Sequence, residues 1–104
     1  YDKEPIENLL GNQRLAEAFP VKELSASKTK VVFGTDFPVV GLNPTDGIKT
    51  ISGKFENKIG KIKTISIDQA IKAYTKSSSE ASRFGKGYFS EGEEASFNVI
   101  EGLN

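Results

Sequence analysis

With 104 residues, 27% of them charged and 37% apolar, the chain has the composition of one soluble domain at most, or of a piece of a larger one. Lysine plus arginine equals aspartate plus glutamate at 14 each, a zero balance that argues against a partner such as nucleic acid or an acidic membrane surface, which needs surplus cations. Cysteine and histidine are both absent, which removes disulfides, thiolate chemistry, the usual base near neutral pH and the commonest ligand of catalytic zinc.

Any metal held by these residues alone would sit among oxygen donors, which suits magnesium or calcium better than zinc. No run is long or apolar enough for a membrane span or a signal peptide, and the expected compartment is the cytoplasm. Tyr1 in place of a methionine reads as the start of a fragment.

Residues 1–5 are polar and read as loose. Ile6, Leu9 and Leu10 follow at helical spacing until Gly11-Asn12 interrupts, as a C-cap and restart do. Gln13 to Phe19 reads as a short amphipathic helix ended by Pro20, and Val21 with Leu24 gives one further turn before the exit at Ser25 to Lys28. Lys30 to Gly34 then has the β-branched and aromatic composition of a buried strand, stopped by Gly34 and Pro38. Between the two breakers stands Asp36, at the strand end where reactive side chains collect in parallel α/β folds. Val39, Val40 and Leu42 read as a loop packed over that end.

Asn43-Pro44 is a helix start, and Thr45 to Ser52 follows with Ile48 and Ile51 on one face and Gly53 as the close. Lys54 to Lys63 is a mobile loop or a weak hairpin, with the loop preferred. Ser66-Ile67-Asp68-Gln69 matches a capping box, and the helix it opens carries Ile67, Ala70, Ile71 and Tyr74 on one stripe. Ser77-Ser78-Ser79 weakens that helix, although Ala81 and Phe84 continue its packing. Gly85 to Gly87 is a turn, and Tyr88 to Glu101 reads as two strands around Gly92, with Phe97 and Val99 alternating with Ser96 and Asn98. The lysines at 54, 58, 61, 63, 72 and 76, interspersed with Glu56, Asp68 and Glu80, read as a solvated face in preference to a phosphate-binding patch.

Four stretches together carry a family resemblance: Leu10-Gly11-Asn12-Gln13-Arg14 with Ala18-Phe19-Pro20; Val32-Phe33-Gly34-Thr35-Asp36-Phe37-Pro38-Val39; Asn43-Pro44 with Gly47-Ile48; and Ile65 to Ala81 followed by Lys86-Gly87-Tyr88-Phe89-Ser90-Glu91-Gly92. In order and spacing the chain resembles the C-terminal portion of a metal-dependent amidohydrolase, in the branch of N-substituted formamide deformylase and the exoenzyme-regulatory-like proteins. The second stretch is the most specific, being similar to the G-S/T-D-x-P-V that ends the eighth barrel strand in that family.

The resemblance implies an α/β fold: residues 1–84 as the end of a (β/α)8 TIM barrel, its last strand and helices, and residues 85–104 as edge strands of a small β-sandwich. It implies a hydrolase of carbon–nitrogen bonds other than peptide bonds, acting on a small amide-type substrate with one or two divalent metals, usually zinc. Only one residue of that metal site maps here. Asp36 takes the family's role of metal ligand and catalytic proton acceptor, receiving a proton from the attacking water and passing it to the leaving nitrogen. The H-x-H pair and further histidines of the family have no counterpart, and Ser96 stands where an aspartate is usual. The chain alone is therefore expected to be inactive and without a metal of its own. Its unpaired strand edges open a route to homo-oligomers.

Asp36 has a second reading as an Asx-turn residue bonding the backbone before Pro38. Phe37 lines a pocket or packs in the core, and Arg14 meets a substrate carboxylate or simply faces solvent. Asp46 with Glu56 has no fixed separation to make an acid/base pair, and Asp68 is explained by the helix dipole. The competing function, motivated by the missing histidines, is a small non-catalytic α/β interaction module derived from such an enzyme.

Overall fold

The structure, a computed structural model, describes residues 3–54 and 63–103. The stretch expected as a loop or hairpin after Lys54 lies, but for its ends, outside the described residues. Five α-helices are present in it: α1 (Lys3–Arg14), α2 (Val21–Ala26), α3 (Pro44–Ile51), α4 (Ile67–Tyr74) and α5 (Lys76–Ser82), with a 3-10 turn at Leu15–Glu17. Helix α1 starts earlier than the polar residues 1–5 imply, because Pro5 is tolerated in a first turn where its missing N–H has no intrahelical partner. It breaks at Gly11, whose φ of 68° and ψ of 165° are non-helical, so the interruption falls where the sequence placed it. Beyond it the expected second helix shrinks to the 3-10 turn.

Helices α3 and α4 are both started by side-chain caps. The Asn43 carboxamide accepts from the Thr45 N–H at 3.1 Å, with Pro44 at the first helical position. The Ser66 hydroxyl accepts from the Gln69 N–H at 3.1 Å while the Gln69 side chain accepts from the Ser66 N–H at 2.9 Å, a complete capping box. Ser66→Ala removes one half of that exchange and is expected to destabilise the chain by about 1 kcal/mol, read as a shift of the urea midpoint at unchanged slope.

The two capped helices pack on each other. Ile48 of α3 (3% exposed), Ile65 and Ala70 of α4 (0%) form the buried centre, with Val21, Phe33, Ile51, Ile67, Ile71, Tyr74 and Leu103 around it. Gly47 is what lets them approach: a Cβ there would lie 2.3 Å from the Tyr74 hydroxyl. Burial raises the pKa of that Tyr74 phenol.

Helix α4 ends at a break at Thr75 (φ −110°, ψ −90°), after which α5 begins. Two distant segments converge on this junction. The Phe33 N–H donates to the Ala73 carbonyl at 3.2 Å, and Gly87 passes so close that a Cβ would stand 2.7 Å from the Thr75 carbonyl oxygen.

The α/β expectation, with the last barrel strand at Lys30 to Gly34 and sandwich strands after Tyr88, is corrected: no β-strand occurs among the described residues. A strand exists through its ladder, and ladder partners are not encoded in local composition. Residues 31–35 have no regular secondary structure, and the backbone of Phe33 bonds to the end of a helix and not to a neighbouring strand. In the C-terminal stretch the Gly92 turn is present, with the Glu93 N–H on the Ser90 carbonyl at 3.2 Å, but its arms do not pair. They meet through the Phe89 and Phe97 rings, 5.7 Å apart, and an ion pair of Lys86 with Glu93 that raises the lysine pKa. Self-association through strand edges thereby loses its premise among the described residues.

Candidate functional site

The segment before Asp36 carries a two-residue alternation: Val31, Phe33 and Thr35 are half-buried, and Val32, Gly34 and Asp36 are exposed. Phe33 is its anchor. Its ring meets that of Tyr74 with centroids 5.5 Å apart, and its carbonyl accepts from the Ser78 hydroxyl at 3.1 Å. The same hydroxyl reaches the Ala73 carbonyl at 2.8 Å, one of the acceptors that the end of α4 leaves without an intrahelical donor.

Three residues beyond this anchor the chain turns sharply. Asp36 has φ of 53°, its main-chain carbonyl accepts from the Val39 N–H at 2.9 Å, and the intervening Phe37–Pro38 peptide is cis. A positive φ is costly for most residues, and aspartate is among the few that tolerate it. The Asx-turn reading is overturned here, because the turn is closed by the main-chain carbonyl of Asp36. Its carboxylate accepts no hydrogen bond and joins no ion pair among the described residues. The result is an exposed carboxylate, not consumed by the structure, on a backbone fixed from both sides.

Its neighbours are exposed as well. Phe37, Val39, Val40 and Leu42 all face outward, so Phe37 is no core residue and the expected packing of Val39 to Leu42 over the strand end is corrected. The reason is again the missing sheet, which leaves no surface there to pack on. Arg14, Asp46 and Asp68 are exposed, Asp68 in the first turn of α4, while Glu56 lies outside the described residues. Ile71 and Tyr74 pack against the core. Ser78 went unnoticed in the sequence, where three consecutive serines read only as weak helix. Its one available signal is its position four residues beyond the end of an amphipathic stripe, where orphan carbonyls must find donors.

Elsewhere the carboxyl of Glu23 is held below its ordinary range by its hydrogen bond with Lys63, and that of Glu80 by Lys30. Asp36 fits the chemistry of one oxygen donor to a divalent cation. One donor does not make a centre, and no group of three His, Cys, Asp or Glu side chains is placed to hold an ion among the described residues. No helix among them is long and apolar enough to cross a membrane.

Comparison with curated proteins and with solved structures returns no match. The family profile described as Amidohydrolase family matches residues 2–103, nearly the whole sequence, with the Asp36 turn and both capped helices inside the match. The chain therefore belongs to the amidohydrolase family, whose members are generally metal-dependent.

Proposed function

We propose that the chain supplies Asp36 to a hydrolase that cleaves carbon–nitrogen bonds other than peptide bonds in small amide-type molecules, in the manner of the N-substituted formamide deformylase branch. The observation that carries the reading is the carboxylate itself: exposed, unpartnered among the described residues, and set on a positive-φ turn closed by backbone alone. Residues held in sparsely populated backbone regions collect at functional sites.

In this reading water adds to the amide carbon, its proton passes to the Asp36 carboxylate, and the same proton goes on to the nitrogen as the C–N bond breaks. Divalent metal, zinc by the family likeness, supplies Lewis acidity when bound. Asp36 is one donor toward it, and the histidine donors of the family would have to come from outside these 104 residues, which hold no histidine. The chain by itself is then silent.

Purified longer protein is expected to hydrolyse N-formyl and N-acyl amines, to lose that activity to a chelator and to regain it with zinc, whereas the 104-residue chain alone turns over nothing. The second reading, a non-catalytic interaction module, is favoured by the absence of histidine from the sequence. A longer protein with no H-x-H pair and no amide hydrolysis at any metal loading decides for the module.

A further inference from the structure

The fold regroups lysines that the sequence scatters. Lys28 and Lys30, after α2, come together with Lys72 of α4 and Lys76 of α5 around one cleft of about 400 Å3. Its wall holds a single carboxylate, Glu80, which lies 2.5 Å from the Lys30 ammonium and 4.0 Å from that of Lys76. Lys28 and Lys72 have no ion-pair partner among the described residues. Four cations against one anion is a local excess in a chain whose net charge is zero.

Of the six lysines that the sequence reading placed on one solvated face among Glu56, Asp68 and Glu80, only Lys72 and Lys76 line this cleft, where Lys28 and Lys30 join them. Like charges gathered around a concave surface raise its positive potential and concentrate anions there. The Glu80 carboxyl responds to this field: its hydrogen bond from Lys30 holds its pKa down, and Lys76 and Lys72 push it the same way. Thr29 and Ser77 also line the cleft, and a hydroxyl is a donor that an anion's oxygens can use.

We propose that this cleft binds a small molecule bearing a dianionic oxyanion group, held by Lys28, Lys30, Lys72 and Lys76 and competing with Glu80 for Lys30 and Lys76. Lysines bind such groups as point charges, without the planar fork that arginine offers to one oxyanion geometry. The ammoniums stand half in water, so the affinity is modest, a Kd on the order of 1 mM, and weakens with added salt.

The test is a titration of the 104-residue chain with inorganic pyrophosphate, and separately with succinate, followed by amide NMR shifts at low ionic strength. Saturable shifts confined to the amides of Thr29, Lys30, Lys72 and Ser77 are expected. They should weaken at least about tenfold in the Lys28→Gln, Lys72→Gln double variant and persist in a Lys49→Gln, Lys54→Gln control whose lysines lie outside the cleft. Saturation by pyrophosphate alone assigns a phosphoryl ligand, and saturation by both assigns the dianion class as a whole. Shifts that stay linear to roughly 50 mM in both titrations, or a control pair that weakens binding as much as the cleft pair, overturn the proposal. Should the double variant lose helical circular dichroism, Lys28→Gln alone, at an exposed position outside every helix, carries the same comparison.

Discussion

Asp36→Asn in the metal-loaded longer protein is expected to lower kcat for amide hydrolysis by roughly 10²- to 10⁴-fold, the usual range for loss of a general acid–base group, with KM changed far less. Asparagine is the fitting replacement because it keeps the size of the side chain and tolerates the φ of 53° at this position. Asp36→Gly supplies the complementary comparison. It also removes the carboxylate, but it relaxes the backbone, so it should match or exceed the parent in thermal stability while being as inactive as the asparagine variant. An activity loss shared by both, with stability moving in opposite directions or not at all, separates a chemical role from a structural one. If both variants keep kcat/KM within about threefold of the parent, less than the effect of a general base, Asp36 is not the proton acceptor.

The second large effect concerns the core. Ile48→Ala should destabilise the chain by about 2–5 kcal/mol, the cost of lost burial plus the cavity left behind. Ile48 lies at the point where α3 meets α4, and the buried apolar residues clustered with it among the described residues are two, Ile65 and Ala70. Domains carry only about 5–15 kcal/mol in all, so one such truncation is expected to leave the thermal transition of this chain broad and low, as read by circular dichroism. Val99→Ala serves as the reference, because Val99 is 82% exposed and surface truncations usually fall within about 0.5 kcal/mol. Equal midpoints for the two variants would show that the α3–α4 contact is not the centre of stability.

What could be read in advance was local. Asn43-Pro44 and the Ser66–Gln69 box name their own hydrogen bonds within three residues, and both helices begin where those residues place them. Gly34 and Pro38 likewise marked the turn that carries Asp36. What could not be read was pairing. Val31-Val32-Phe33 has strand composition, but a strand needs a second segment, and the backbone of Phe33 bonded to the end of α4 instead. Phe97 and Val99 alternate with polar residues as a half-buried strand would, yet both are exposed, for nothing among the described residues presents a face to cover them. The bond of Ser78 to Phe33 and the meeting of Lys28 and Lys30 with Lys72 and Lys76 were hidden for the same reason: each joins residues more than 40 positions apart, to which no local rule refers.

At Phe33 the N–H goes to the Ala73 carbonyl, and the single proton of the Ser78 hydroxyl is shared between the Phe33 and Ala73 carbonyls, so three residues close a ring of contacts around one residue. A ladder of several such bonds would fix both where a segment sits and which way it points. A single ring acts as a rivet: donor and acceptor of one residue are held together at the helix end, so the segment cannot slide along it. Asp36 lies three residues out from the rivet, an arm of about 10 Å at most. Its depth in the molecule is thus set by the α4–α5 junction, more than 35 residues further along the chain.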